Sequence, residues 1–121
     1  MSDDEQYYST QQTAELTGLS KDTLRYYEKI GILQRIGRDT NNYRRYSKED
    51  IDWLILVKYL RGIGIETTEF IGAQSTSMRK RREYLENYQI QIEKDIKELH
   101  RIKEIVSEKI KFLETKEEEG L

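Results

Sequence analysis

Forty consecutive residues, Ser77 to Lys116, contain neither glycine nor proline, and apolar residues recur within them every seventh position, at Met78, Leu85, Ile92, Leu99, Val106 and Leu113. Glycine and proline are the residues that end helices, and a strict seven-residue repeat keeps one apolar stripe in line along a helix. A companion row, Tyr88, Ile96, Ile102 and Ile110, follows at a mixed spacing of four and three, with charges elsewhere. Forty helical residues reach about 60 Å, too long to fold back on the shorter segment that precedes them. Such a helix needs a partner, most simply its own copy. Leu85, Tyr88, Ile92, Leu99, Ile102, Val106 and Leu113 are its expected dimer seam.

The supply of apolar residues points the same way. The chain of 121 residues is 36% hydrophobic and 36% charged, with a mean hydropathy of −0.89, lean for burial within a single copy. No cysteine removes disulfides, thiolate catalysis and thiolate metal sites, and one histidine, His100, cannot make a multi-histidine site. No apolar run approaches the roughly 20 residues of a membrane-spanning helix, and MSDDEQYY lacks the basic and apolar regions of a signal peptide. A soluble, cytoplasmic protein is expected, with no cofactor.

Net charge −2 and a pI near 5.6 argue against nucleic acid as a partner, but the totals hide a segregation. Residues 21–62 hold ten Lys and Arg against six acids, a local net of +4, and the acids concentrate at the two ends of the chain. Within the head, Thr10 or Gln11 is expected to open a short helix with Ala14 and Leu16 inward and Gly18 ending it, and Ser20 caps a second helix over 21–30, closed by Gly31. Two short helices around Gly18-Leu19-Ser20 spell a helix-turn-helix. Residues 33–47, with extended flanks around Asn41-Asn42, read as a hairpin wing. Ser47 with Asp50 opens a helix to about Arg61, its buried side given by Ile51, Leu54, Ile55, the Lys58 stem and Tyr59. After the GIGI break at 62–65, a short fourth helix over 67–74 is expected, with Phe70 and Ile71 in the core.

The fold class is therefore mainly α, a winged helix-turn-helix head followed by a long coiled-coil dimerisation helix. The expected division is a disordered tail over 1–6, the head over 7–75, the long helix over 76–116 and an acidic tail over 117–121.

On a helical wheel, Thr23, Leu24, Tyr27 and Ile30 gather on one side of the second helix, and Lys21, Asp22, Arg25, Tyr26 and Lys29 on the other. A solvated helix face is the plain reading of that outer side. The wing adds Arg35, Arg38, Arg44 and Arg45 interleaved with Tyr43 and Tyr46, and an exposed Tyr between Args is hard to explain by core packing. Together the two elements suit double-stranded DNA, because cations neutralise phosphates and an Arg fork can bond a guanine edge. Trp53, Tyr59, Tyr84 and Tyr88 read as packing rather than a ligand pocket. Arg79 to Arg82 crowd four cations at a helix N-terminus, read as a solvated start to the long helix, a second phosphate contact or an elbow tying the head to the helix of a second copy; the dipole disfavours cations there, which points to a nearby acid or phosphate.

TAELTGLSKDTLRYYEKIGIL, then NNYRRYSKEDI, then YLRGIGI, in register over residues 8–71, resemble the DNA-binding head of MerR-type transcription regulators. The resemblance implies a winged helix-turn-helix head and a long helix pairing antiparallel with its copy. It implies that Arg25 and Tyr26 lie in the major groove, that Arg38, Tyr43 and Arg44 belong to a wing gripping the DNA backbone, and that Arg61 reaches phosphate, with Lys21 as an additional contact. Asn42 stands where the family often has Gly, and Asp22 lies on the recognition face. Family members sense metals through Cys in a loop after the long helix, or aldehydes and thiol stress through a Cys in the third helix, where this chain has Tyr59; neither trigger is expected here. Only EEEGL follows Lys116, so no appended ligand-binding domain is expected.

The function expected is that of a bacterial regulator, cytoplasmic and nucleoid-associated, binding an inverted-repeat promoter operator as a homodimer and acting by distortion of promoter DNA. RNA polymerase at the promoter is an expected partner, and an unidentified small-molecule effector an optional one. The alternative is an architectural, excisionase-like or packaging-type DNA binder, or a coiled-coil adaptor, that senses nothing. An enzyme is not expected: carboxylates such as Glu28 and Glu49 have no pocket-forming context.

Overall fold

A computed structural model describes residues 6–34 and 36–120. The tail expected over 1–6, apart from Gln6, and Arg35 of the wing lie outside the described residues. The elements in chain order are β1 (Tyr7–Tyr8), α1 (Thr10–Thr17), α2 (Lys21–Ile30), β2 (Gly37–Arg38), β3 (Arg44–Ser47), α3 (Lys48–Gly62) and α4 (Met78–Glu118), with 3-10 turns at Thr67–Phe70 and Ala73–Ser75. The chain divides into two compact units at Ser77/Met78.

Each helix of the head starts on a serine. Ser9 and Ser47 form reciprocal capping boxes with Gln12 and Asp50, and Ser20 accepts from the Thr23 amide at 3.0 Å, so orphan donors at each N-terminus are satisfied by a short polar side chain. Gly18 and Gly31 close α1 and α2 with φ of 75° and 90°, a left-handed geometry that a Cβ disfavours. Lys58 lays its ammonium on the Thr17 carbonyl at the end of α1, at 3.0 Å, which places a cation on the negative end of that helix.

The core is Leu24 and Tyr27 from α2, Ile32, Leu33 and Ile36 after it, Tyr46 from β3, Ile51, Leu54, Val57 and Leu60 from α3, and Phe70. Trp53 donates its indole N–H to the Ile32 carbonyl at 2.8 Å and meets Phe70 edge-on at 6.2 Å, so it packs as expected. β3 is the central strand of three, antiparallel to β1 through Tyr8↔Tyr46 and to β2 through Gly37↔Arg45 and Arg38↔Arg44.

Several details differ from the sequence reading. α1 turns Thr13 and Thr17 inward, whereas Ala14 is half-buried and Leu16 exposed. The two threonines lie one turn apart, and their short side chains allow close helix approach. In α3 the buried row steps by three through Ile51, Leu54, Val57 and Leu60; Ile55 is half-buried and Tyr59, on the opposite side, is 69% exposed. The expected fourth helix is interrupted by Gly72 at φ 76°, whose amide donates to the Gly31 carbonyl at 2.9 Å. Phe70 is buried as expected, but Ile71, extended after the first turn, is exposed.

α4 runs 41 residues, past Lys116 into the expected acidic tail as far as Glu118. Glutamates are good helix formers, Lys116 pairs with Glu119 at 3.4 Å, and Gly120, just past the helix, takes a φ of 76° that does not continue it. None of its residues is buried, and Leu85, Leu99, Ile102, Val106, Ile110 and Leu113 stand exposed along the seam. The basic run at its start finds acids one turn on, Arg79 to Glu83 at 3.2 Å and Arg82 to Glu86 at 3.1 Å.

Truncating Phe70 to Ala removes the ring that closes the core against Trp53 and should cost the head about 3–5 kcal/mol. Because Trp53 is the single tryptophan, its emission in a urea titration reads the head without the signal of α4. An unshifted midpoint would mean that Phe70 is not a core residue.

Candidate nucleic-acid interface

α2 sorts its side chains sharply. Leu24 and Tyr27 are buried, while Lys21, Asp22, Arg25, Tyr26 and Lys29 are exposed, Tyr26 by 53%. The Tyr26 ring leans on that of Tyr27, 6.4 Å away, and leaves its outer half in solvent. Asp22 holds Arg25 through a 3.1 Å contact between exposed side chains, a pairing weak enough for a DNA acceptor to displace.

The wing is built around Asp39. Its carboxylate accepts from the amides of Asn41 at 2.8 Å and Tyr43 at 3.0 Å, and the Asp39 amide donates to the Tyr43 carbonyl at 3.0 Å. Asn42 takes the left-handed position at φ 65°, which Asn tolerates better than other side chains. The departure from Gly at this position is thereby accommodated. Tyr43 is 70% exposed beside the turn, but Tyr46, expected on the same surface, is wholly buried. Strand alternation accounts for the difference, since residues 44 and 46 share the inner face. Arg45, on the outer face, lies 4.0 Å over the Tyr7 ring.

Two of the cations are held from behind by α2. Arg44 donates Nε to Glu28 at 2.8 Å, and Arg61 donates from a terminal nitrogen to the Tyr27 hydroxyl at 2.9 Å. Arg38 lies opposite Arg44 in the ladder, with a terminal nitrogen 3.5 Å from the Asn42 carbonyl. Like charges facing across a strand pair repel, and Glu28 is the acid beside them. Burial pushes the Glu28 carboxyl up. The hydrogen bonds from Arg44 and the Ile36 amide, with the charges of Arg44 and Arg38, outweigh that and hold it below its ordinary value of 4.5. Asp39 and Glu28 are the organising residues that the sequence reading missed; a lone Asp four residues before Tyr43 and a Glu amid cations were the available signals.

The head thus defines a winged helix-turn-helix DNA-binding protein, with an exposed cationic and aromatic helix face beside a hairpin of arginines. Residues 8–70 match the MerR HTH family of regulatory proteins, and the chain belongs to that family. It is 32% identical over 111 residues to an uncharacterised HTH-type transcriptional regulator of Haemophilus influenzae, covering 87% of this chain and 82% of that one. The transcriptional regulator AdhR of Bacillus subtilis is 37% identical over 60 residues, 50% of this chain and 43% of the relative, so the chain matches less than half of that protein. Among solved structures, HiNmlR, a MerR family regulator lacking the sensor domain and bound to promoter DNA, superposes with a TM-score of 0.74 at 28% identity, covering 91% of this chain and 92% of that one. This chain is a MerR-family DNA-binding transcription regulator, of a family that is not enzymatic.

The Glu28 carboxyl is depressed by folding, so its contribution to stability is present above its unfolded value and lost as pH falls through its folded one. Glu28→Gln should lower the thermal midpoint of the head at pH 7, and the gap to the unaltered protein should close below pH 4.5. A gap that stayed constant down to pH 3 would show that the charge of Glu28 is not what stabilises the wing.

Proposed function

We propose that the protein binds an inverted-repeat operator within a promoter as a homodimer and regulates transcription by distorting the DNA between its half-sites. The observation that carries this reading is the pairing of an exposed recognition face on α2 with a wing whose cations are fixed in place. Arg25 and Tyr26 enter the major groove, with Lys21 beside them. Arg38, Tyr43 and Arg44 grip the backbone from the wing, and Arg61 reaches phosphate. Helix pairing through Leu85, Tyr88, Ile92, Leu99, Ile102, Val106 and Leu113 joins two heads, which meet half-sites about one or two helical turns apart. Bending the DNA between them costs about 1–6 kcal/mol, offset by the added backbone contacts. RNA polymerase at the same promoter reads the distortion, in the cytoplasm at the nucleoid. With no cysteine in the chain, sensing runs through a noncovalent small molecule or not at all.

The experiment is a purified transcription system of polymerase, promoter and this protein. Shortening the promoter spacer by about two base pairs replaces the proposed distortion, so transcription from the shortened promoter should no longer depend on the protein. Continued dependence would exclude distortion and leave recruitment or an architectural role.

The seam has its own test. Replacing Leu99 and Val106 together by Glu sets like charges in the contact, and the protein should sediment as a monomer with reduced helicity. A folded dimer would falsify this assignment of the interface.

A further inference from the structure

We propose that Glu28 is a positioning residue for DNA binding, an acid at the edge of the interface that strengthens the grip on phosphate. One carboxylate joins the recognition helix to both sides of the wing. Oε2 accepts from the Ile36 amide at 3.1 Å, just before β2, and Oε1 accepts from Arg44 Nε at 2.8 Å, on β3. The Glu28 side chain is 13% exposed and that of Arg44 25%, so the contact is sheltered from the water that weakens surface pairs. The bond uses Nε, the rear nitrogen of the guanidinium, and leaves the fork of terminal nitrogens for an outside acceptor. Without the carboxylate, Arg44 and Arg38 face each other across the ladder as two unneutralised cations, and the tie between α2 and the strand entering the wing is lost. Helix and wing are then no longer set relative to each other for one stretch of DNA.

The inference rests on the proposed contact between Arg44 and phosphate, and it predicts a sign that ordinary electrostatics reverses. An acid near a DNA interface repels phosphate, so neutralising one that does nothing else tightens binding. Neutralising Glu28 should weaken it. The probe is a mixed-sequence duplex of about 30 base pairs in a salt titration, since phosphate contacts do not depend on sequence. Glu28→Gln in the full chain should bind about tenfold more weakly, as expected when a charged hydrogen bond that orders a contact is removed. The same change made in Arg44→Ala protein should weaken binding by much less than tenfold, because the guanidinium it positions is gone and only the Ile36 tie remains. Arg44→Lys keeps the charge but offers one nitrogen for both tasks, and it should bind nearly as weakly as Arg44→Ala.

Tighter or unchanged binding by Glu28→Gln, with Arg44→Ala weakened, overturns this inference and leaves the DNA-binding wing standing. Unchanged binding by Arg44→Ala overturns the wing contact itself. Trp53 emission reports whether each head is folded. Should Glu28→Gln unfold it, Arg44→Lys decides alone, and full affinity there overturns the proposal.

Discussion

A ten-residue helix closed by Ser20 ahead and Gly31 behind fixes where the rest of the head lies. The turn that follows it is the junction of the structure. The Tyr27 carbonyl accepts from the amides of Ile32 at 2.9 Å and Leu33 at 3.2 Å, the Gly31 carbonyl accepts from Gly72, and the Ile32 carbonyl accepts from Trp53 of α3. Two segments distant in sequence therefore end on the consecutive residues Gly31 and Ile32. A Cβ at Gly31 would strain a backbone at φ 90°, and the cost would reach α3, the turns after it and the wing together.

The same helix reconciles an acidic protein with a polyanionic partner. Its outer face carries the cations, and its inner face carries the groups that hold two more, Glu28 behind Arg44 and the Tyr27 hydroxyl behind Arg61. What matters for DNA is the local field of residues 21–62, because exposed charges farther away than about 8 Å are largely screened at physiological salt. The acids toward the chain ends lower the pI without abolishing a basic face.

Caps, glycines and the heptad row were legible because each acts locally. Ser20 and Gly31 bracket α2 where the sequence places them, Asn42 takes the turn position that Asn tolerates, and the break-free run from Ser77 is one helix. What escaped depends on tertiary choice. Whether α1 buries its threonines or Leu16 is decided by how closely α3 approaches, and whether Tyr46 faces core or solvent by the register of β3. Glu28 reads in sequence as one acid among many; only the fold brings Ile36 and Arg44 to its two oxygens. The heptad row also understates α4. Ile105 and Phe112 stand exposed along the flank of the seam, with Lys109 and Lys116 over the Phe112 ring at 4.9 and 5.5 Å.

Those exposures tie the proposed dimer to the folding of the long helix. A solitary helix in water draws on propensity and on side-chain pairs one turn apart, and such pairs add only about 0.2–0.5 kcal/mol each. In α4 the first two run from Arg to Glu, the less favourable order. Helical stability in proteins comes mainly from burying an apolar face, and α4 buries none of its residues within one chain. Pairing and helix formation are then one equilibrium, set by protein concentration. In the proposed dimer, two heads reach DNA joined only when that equilibrium has been crossed, so the affinity for the proposed two-half-site operator would include the free energy of assembling α4 as well as that of the cations on the phosphates.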